Sequence, residues 1–235
     1  MRCGLYGKLP AKRDFVATGA PREFLAVWEP WVQGGVAASR LSLGAQWQSA
    51  FLQAPIWRFW LGRDLCGATT LGALMPSVDG VGRYFPLALF ARAEPGESPA
   101  PPEIDAQDAW MAALEEILLS ALAPETSLEQ VTASLEALGP PASPAPAAHE
   151  GVARLVPAGW TSAFSEEEGA APALGRLRQA DLGRACAASS FWWTLGGGDF
   201  APRALVTPGL PANALFSAML TGALPLQSGA GRFEK

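Results

Sequence analysis

The sequence predicts an α/β sandwich, a largely antiparallel central sheet flanked by helices. Three observations predict it. Strand-like and helix-periodic segments interleave along the 235 residues. Apolar, β-prone runs follow one another between positions 56 and 91 with short turns between them, as in an antiparallel meander. Hydrophobic residues make up 49% of the chain and charged residues 17%, enough for a substantial buried core. A chain of this length holds one large domain or two small ones. The segments after position 149 are too fragmentary for a core of their own, so one domain over 1–235 is expected, with a Pro/Ala-rich loop at 139–149. No internal repeat is visible.

The elements follow in order. Residues 2–9 read as a short apolar strand leading into a glycine loop. Pro21 suits a first helical position, and Phe24, Leu25, Trp28, Trp31 and Val32 recur at helical spacing. Pro30 is expected to kink or end that helix. A second helical piece spans 45–53. Strands are expected at 56–61, 66–75 and 83–91, with a turn at Gly62-Arg63-Asp64. After a Pro/Glu-rich surface loop at 94–103, a helix begins with Asp105 as its cap, with Trp110, Leu114, Ile117, Leu118 and Ala121 on one face. Ser127-Leu128-Glu129-Gln130 opens another helix with a capping box; Leu128, Val131, Leu135 and Leu138 face inward, and Gly139-Pro140-Pro141 stops it. Beyond an apolar run at 152–156 and an acidic turn at 166–168 come a weaker helix at 174–185, a strand at 189–195 and a last strand at 203–207. A closing helix at 211–220 turns Leu215, Met219 and Leu220 inward.

Composition restricts function. A net charge of −5 argues against a nucleic-acid binder, which needs a basic face. Cys3, Cys66 and Cys186 are odd in number, far apart and without a CxxC pair, so they read as reduced thiols in a reducing compartment, with no zinc spacing. The start lacks the apolar run of a signal peptide, and Pro208, Pro211 and Pro225 interrupt the uncharged stretch 204–231, so a cytoplasmic protein without membrane insertion is expected. No basic amphipathic face suggests a membrane-surface adaptor. Nine tryptophans, grouped at 28, 31, 47, 57 and 60 and again at 192 and 193, read as an aromatic core; the other reading is an exposed partner site.

Two stretches concentrate glycine, proline, charge and aromatic residues: Gly4-Leu5-Tyr6-Gly7-Lys8-Leu9-Pro10 running on through Asp14-Phe15-Val16, and Pro76-Ser77-Val78-Asp79-Gly80-Val81-Gly82-Arg83-Tyr84-Phe85-Pro86-Leu87. Neither is a nucleotide loop. Gly4-x-x-Gly7-Lys8 is followed by Leu9, where a phosphate loop needs a hydroxyl for magnesium. Gly80-x-Gly82 has Phe85 where a dinucleotide fingerprint needs its third glycine. A nucleophile triad would have to use His149, the single histidine, in a proline-rich tract ill-suited to fixing a general base. No cofactor is implied. Carboxylate pairs remain formally available, Asp14 with Asp79 for example, and that pair defines the alternative reading of a hydrolase or phosphatase-like enzyme. Against it, loop aspartates commonly bond nearby backbone or pair with cations such as Lys12, Arg13 or Arg83.

With Ser190-x-Trp192-Trp193, these two stretches make a combination similar to the TagF family, accessory proteins of bacterial type VI secretion. The matching positions are Gly4, Gly7, Lys8, Pro10, Asp14, Phe15, Pro76, Ser77, Asp79, Gly82, Arg83, Phe85, Pro86, Trp192 and Trp193, and they span nearly the whole chain. One departure is Arg13, where the family usually places glycine. The resemblance implies a profilin- or longin-like sandwich and no enzymatic activity. It implies a regulator that keeps secretion silent after translation, in parallel with a threonine kinase/phosphatase switch, by binding the forkhead-associated scaffold protein. Some relatives are fused to a phosphatase; a chain of this length without a metal-binding Asp cluster is expected to be the stand-alone form. The Lys8–Phe15 and Asp79–Phe85 loops are then expected to lie together as a partner surface, or merely to brace a sharp turn.

Overall fold

The computed structural model describes residues 1–142, 152–156 and 159–224. Most of the expected Pro/Ala loop, and His149 with it, lie outside the described residues. The strands are β1 (Arg2–Gly7), β2 (Val16–Thr18), β3 (Trp57–Leu61), β4 (Thr70–Met75), β5 (Leu87–Arg92), β6 (Val152–Arg154), β7 (Trp160–Ser162), β8 (Ser189–Thr194) and β9 (Arg203–Pro208). The helices are α1 (Arg22–Leu43), α2 (Trp47–Gln53), α3 (Arg63–Cys66), α4 (Asp108–Ser120), α5 (Leu128–Leu138), α6 (Ala170–Ala180), α7 (Leu182–Ala185) and α8 (Asn213–Thr221). Seven strands form one sheet in the order β2-β1-β5-β4-β3-β8-β9, and every pairing in it is antiparallel. The expected meander is β3-β4-β5. β6 and β7 pair apart from it as a small ribbon.

Helices cover both faces, so the fold is an α/β sandwich. Side chains alternate across the strands. Trp57, Phe59 and Leu61 of β3, Phe90 of β5 and Trp192 of β8 face the layer made by α1, α2 and α8. Trp60, Leu71, Leu89 and Phe191 face α4 and α5. Trp28, Trp31, Trp47, Trp57, Trp60, Trp110 and Trp192 are buried, and Trp160 and Trp193 half-buried, so the aromatic groups are core. Several indole N–H groups also tie elements together. Trp31 donates to the Pro211 carbonyl (2.8 Å) and Trp57 to that of Met219 (2.9 Å), which binds α8 down at both ends. Cys3, Cys66 and Cys186 are free, and burial pushes each thiol's pKa up, as suits inert apolar side chains.

Several local expectations are corrected. α1 runs through Pro30 without ending. The Ala26 carbonyl loses its amide partner there, but Ala26 and Pro30 are both exposed, so water can serve it. Gly62-Arg63-Asp64 leads into the helical turn α3, and the strand expected from 66 starts at Thr70. The strand expected from Arg83 starts at Leu87, because 77–85 close on themselves through Asp79 N–H to Arg83 O and Phe85 N–H to Ser77 O. Asp105 does not cap α4 directly: it accepts from the Gln107 N–H at 2.9 Å, and Gln107, at φ 55°, occupies the cap. The helix expected over 174–185 breaks at Asp181 into α6 and α7. In α8 Phe216 is buried and Leu215 only half so. The capping box at Ser127 and Gln130 forms as expected.

Two residues seat the helices in ways the sequence pattern does not reveal. Arg58, 2% exposed in β3, pairs with Glu115 (2.6 Å) and Asp108 (3.0 Å), fastening α4 to the sheet. On the other side Gly35 lets α8 lie close to α1; a Cβ there would overlap the Phe216 ring. Gly35→Leu is therefore expected to cost about 1–3 kcal/mol, the usual range for overpacking, read as a lower urea midpoint at unchanged slope.

Candidate functional site

β1 and β4 both run antiparallel to β5, which lies between them. The end of β1, the end of β4 and the start of β5 therefore meet at one rim of the sheet. The loop joining β1 to β2 (8–15) and the loop joining β4 to β5 (76–86) leave from that rim side by side. Backbone contact between strand and loop is close here: Gly7 takes φ 143°, and any Cβ on it would overlap the Pro86 carbonyl.

Asp79 holds the two loops together. Its side chain is fully buried, yet both oxygens are used. Oδ2 accepts from Lys8 Nζ at 2.5 Å and from Arg83 Nε at 2.6 Å. Oδ1 accepts from the backbone N–H of Val81 (3.1 Å) and of Arg83 (2.9 Å). Burial alone would raise the pKa of this carboxyl. The bonds from Lys8, from Arg83 and from the Val81 amide outweigh burial and hold the pKa far below the ordinary carboxylate range. Ser77 Oγ donates to the Lys8 carbonyl (2.8 Å), and the Gly80 N–H to the Lys12 carbonyl (2.7 Å). Arg83 Nη2 also donates to the Arg13 carbonyl. Arg13 itself avoids the left-handed region, so the turn makes no demand for glycine at this position.

Above this ionic layer lies an aromatic one. Phe15 stacks on Tyr6 (5.9 Å) and meets the edge of Phe85 (4.8 Å), with Lys8 Nζ 5.0 Å from its ring centre. Phe15 still leaves 47% of its surface open, and Val81 at the tip of the neighbouring loop 55%. Tyr84 packs edge-on against Trp47 and Phe51 and accepts a hydrogen bond from Gln48, so the second loop is also anchored on α2. Tyr6, Val81 and Tyr84 are not among the candidate site residues of the sequence; their place inside the dense stretches, where Tyr6 and Val81 belong to the motifs, is the available signal.

The expected residues separate into four groups. Gly7, Lys8, Ser77, Asp79, Phe85 and Pro86 are buried framework of the loop pair, with Pro10 and Pro76 half-buried beside them and Gly82, at φ 81°, turning the exposed tip. Arg83 and Phe15 are shared between framework and surface. Asp14 is 97% exposed on its side chain and reaches Arg83 only at 4.0 Å, so it stands apart from the buried Asp79. Gly4 lies under the Phe90 ring inside the sheet. Trp192 is fully enclosed by Trp28, Trp31 and Phe59, and Trp193 is half-buried toward the α4 side. These last three belong to the fold: Gly4 sits in β1, three residues before Gly7, while Trp192 and Trp193 sit in β8, two places beyond β4 in the sheet order, and Trp192 is enclosed and offers no surface to a partner. Among the described residues no cluster of His, Cys, Asp and Glu is placed to hold a metal, and no helix is long and apolar enough to cross a membrane.

Because the Asp79 pKa is lowered in the folded state, its stabilisation is complete above the ordinary carboxylate pKa of about 4 and is lost as pH falls below that value. Asp79→Asn is expected to lower the melting temperature at neutral pH, with the gap to wild type narrowing in acid melts below about pH 4. Asp14→Asn is expected to leave the melting curve in place.

The loop pair falls inside the region matched by a family model. Residues 4–138, more than half of the chain, match the TagF N-terminal domain, described as type VI secretion system-associated. Among solved structures the chain is similar to PA0076 from Pseudomonas aeruginosa PAO1, with 32% sequence identity, a TM-score of 0.77, and 98% of this chain and 100% of that one covered. Comparison with curated proteins gives no match. The match over residues 4–138 shows that this chain belongs to the TagF family of type VI secretion system-associated proteins.

Proposed function

We propose that this chain is a non-enzymatic, cytoplasmic, post-translational repressor of type VI secretion that acts by binding the forkhead-associated scaffold of that pathway. The partner and the repressing role come from family resemblance. The observation that supports binding at the loop rim is the rigid presentation of Phe15 and Val81. Both are about half exposed, and both are held by bonds and ring contacts to buried groups. An apolar side chain immobilised before contact loses little conformational entropy on binding, the circumstance in which a few anchors carry an interface. The same bonding weighs against the hydrolase reading, since all four hydrogen bonds to Asp79 come from its own framework and Asp14 lies outside that enclosure.

The test is made in a type VI-secreting bacterium. Deleting the gene is expected to raise secretion, and a wild-type copy to silence it again. Copies carrying Phe15→Ala or Val81→Asp are expected to stay derepressed while their purified proteins still melt cooperatively as folded proteins and capture the scaffold at least about tenfold more weakly. Full silencing by both folded variants, or loss of silencing tied to turnover of a small substrate, overturns the proposal.

A further inference from the structure

The charges around the exposed anchors say what kind of segment would fit them. The chain carries 17 basic and 22 acidic residues, yet the loops 8–15 and 76–86 carry Lys8, Lys12, Arg13 and Arg83 against Asp14 and Asp79 alone. Lys8 and Asp79 offset each other out of sight of solvent. That leaves Lys12, Arg13 and Arg83 at the surface with Asp14 as the one carboxylate of the loops. Lys12 is shared with Glu129 at 3.5 Å. Arg13 is exposed and makes no ion pair among the described residues. Arg83 uses Nε on Asp79 and Nη2 on the Arg13 carbonyl, and its side chain is still 57% exposed. A cationic patch on an acidic protein draws acidic partners by charge and repels them elsewhere on the surface.

We infer that the loop rim docks an acidic polypeptide segment that carries an apolar side chain. The apolar side chain rests against Phe15 and Val81, and its flanking carboxylates lie toward Arg13 and Arg83. This deepens the reading above by giving the chemistry of the partner segment. Arginine suits the role because its planar guanidinium can take two carboxylate oxygens at once. Tethering by Asp79 leaves Arg83 already oriented.

The full chain is titrated by fluorescence anisotropy against a labelled peptide alternating glutamate with leucine, its lysine counterpart, and a short single-stranded DNA. The glutamate peptide is expected to bind and to weaken as salt rises, and the lysine peptide and the DNA to bind far less. Arg13→Glu and Phe15→Ala are each expected to weaken glutamate-peptide binding at least about tenfold. Arg63→Glu, on the opposite rim beside Asp64, is expected to change nothing. Melting curves confirm that each variant is folded. Equal binding of the glutamate and lysine peptides, tighter binding of DNA, no binding of the glutamate peptide, or indifference to both loop variants overturns the inference. Scaffold capture is measured in parallel. Capture that the glutamate peptide fails to displace sinks this inference and leaves the proposed function standing. Loop-dependent peptide binding without any scaffold capture does the reverse.

Discussion

The buried carboxylate of Asp79 is the interaction on which the rim of the sheet depends. A glycine-rich loop has too much backbone freedom to hold a shape through its own turns. Here one such loop, 76–86 with Gly80 and Gly82, shares an anion with the glycine-free loop 8–15; the anion takes a side-chain donor from the loop 8–15 and three donors from the loop 76–86. A charge placed in the interior is tolerable only when its partners are close and its lone pairs are satisfied. Asp79 meets both conditions, and the same bonds that satisfy it fix the positions of Val81, Arg83 and Lys8. Phe15 then rests on a platform of Lys8, Tyr6 and Phe85 that the fold itself holds in place.

Much of this fold can be read along the chain where the signal is local. The Ser127 capping box lies within four residues, and its geometry forms as the spacing implies. The meander from β3 to β5 follows from short turns between apolar runs, and the tryptophan clusters read correctly as core. What sequence reasoning missed depends on distance. Arg58 looks like an ordinary cation in an aromatic strand until α4, some fifty residues on, brings Glu115 and Asp108 over it. Pro30 looks like a helix terminator because its effect on the backbone is local. Whether it ends a helix depends on whether the carbonyl it leaves unbonded can reach water, and Ala26 and Pro30 both lie on the exposed face of α1.

The candidate site divides along the same line. The dense stretches mark where the loops are, and their spacing even suggests that they are related. It does not reveal that Asp79 is interior while Asp14 is exposed, because the two residues look alike in a string of letters. Burial separates them, and burial is set by the antiparallel placement of β1, β5 and β4. Trp192 shows the converse. It belongs to a recognisable motif, yet it serves the interior, as its ring contacts with Trp28, Trp31 and Phe59 make plain.

The outer strands of the sheet have a consequence of their own. An open sheet edge is a template on which further chains can polymerise. One border here is β2, three residues long, which offers too few rungs for a stranger to grip. The other is β9, whose last residue, Pro208, has no amide hydrogen to offer a newcomer. Both margins thus offer an incoming strand fewer backbone partners than a long, unbroken edge would.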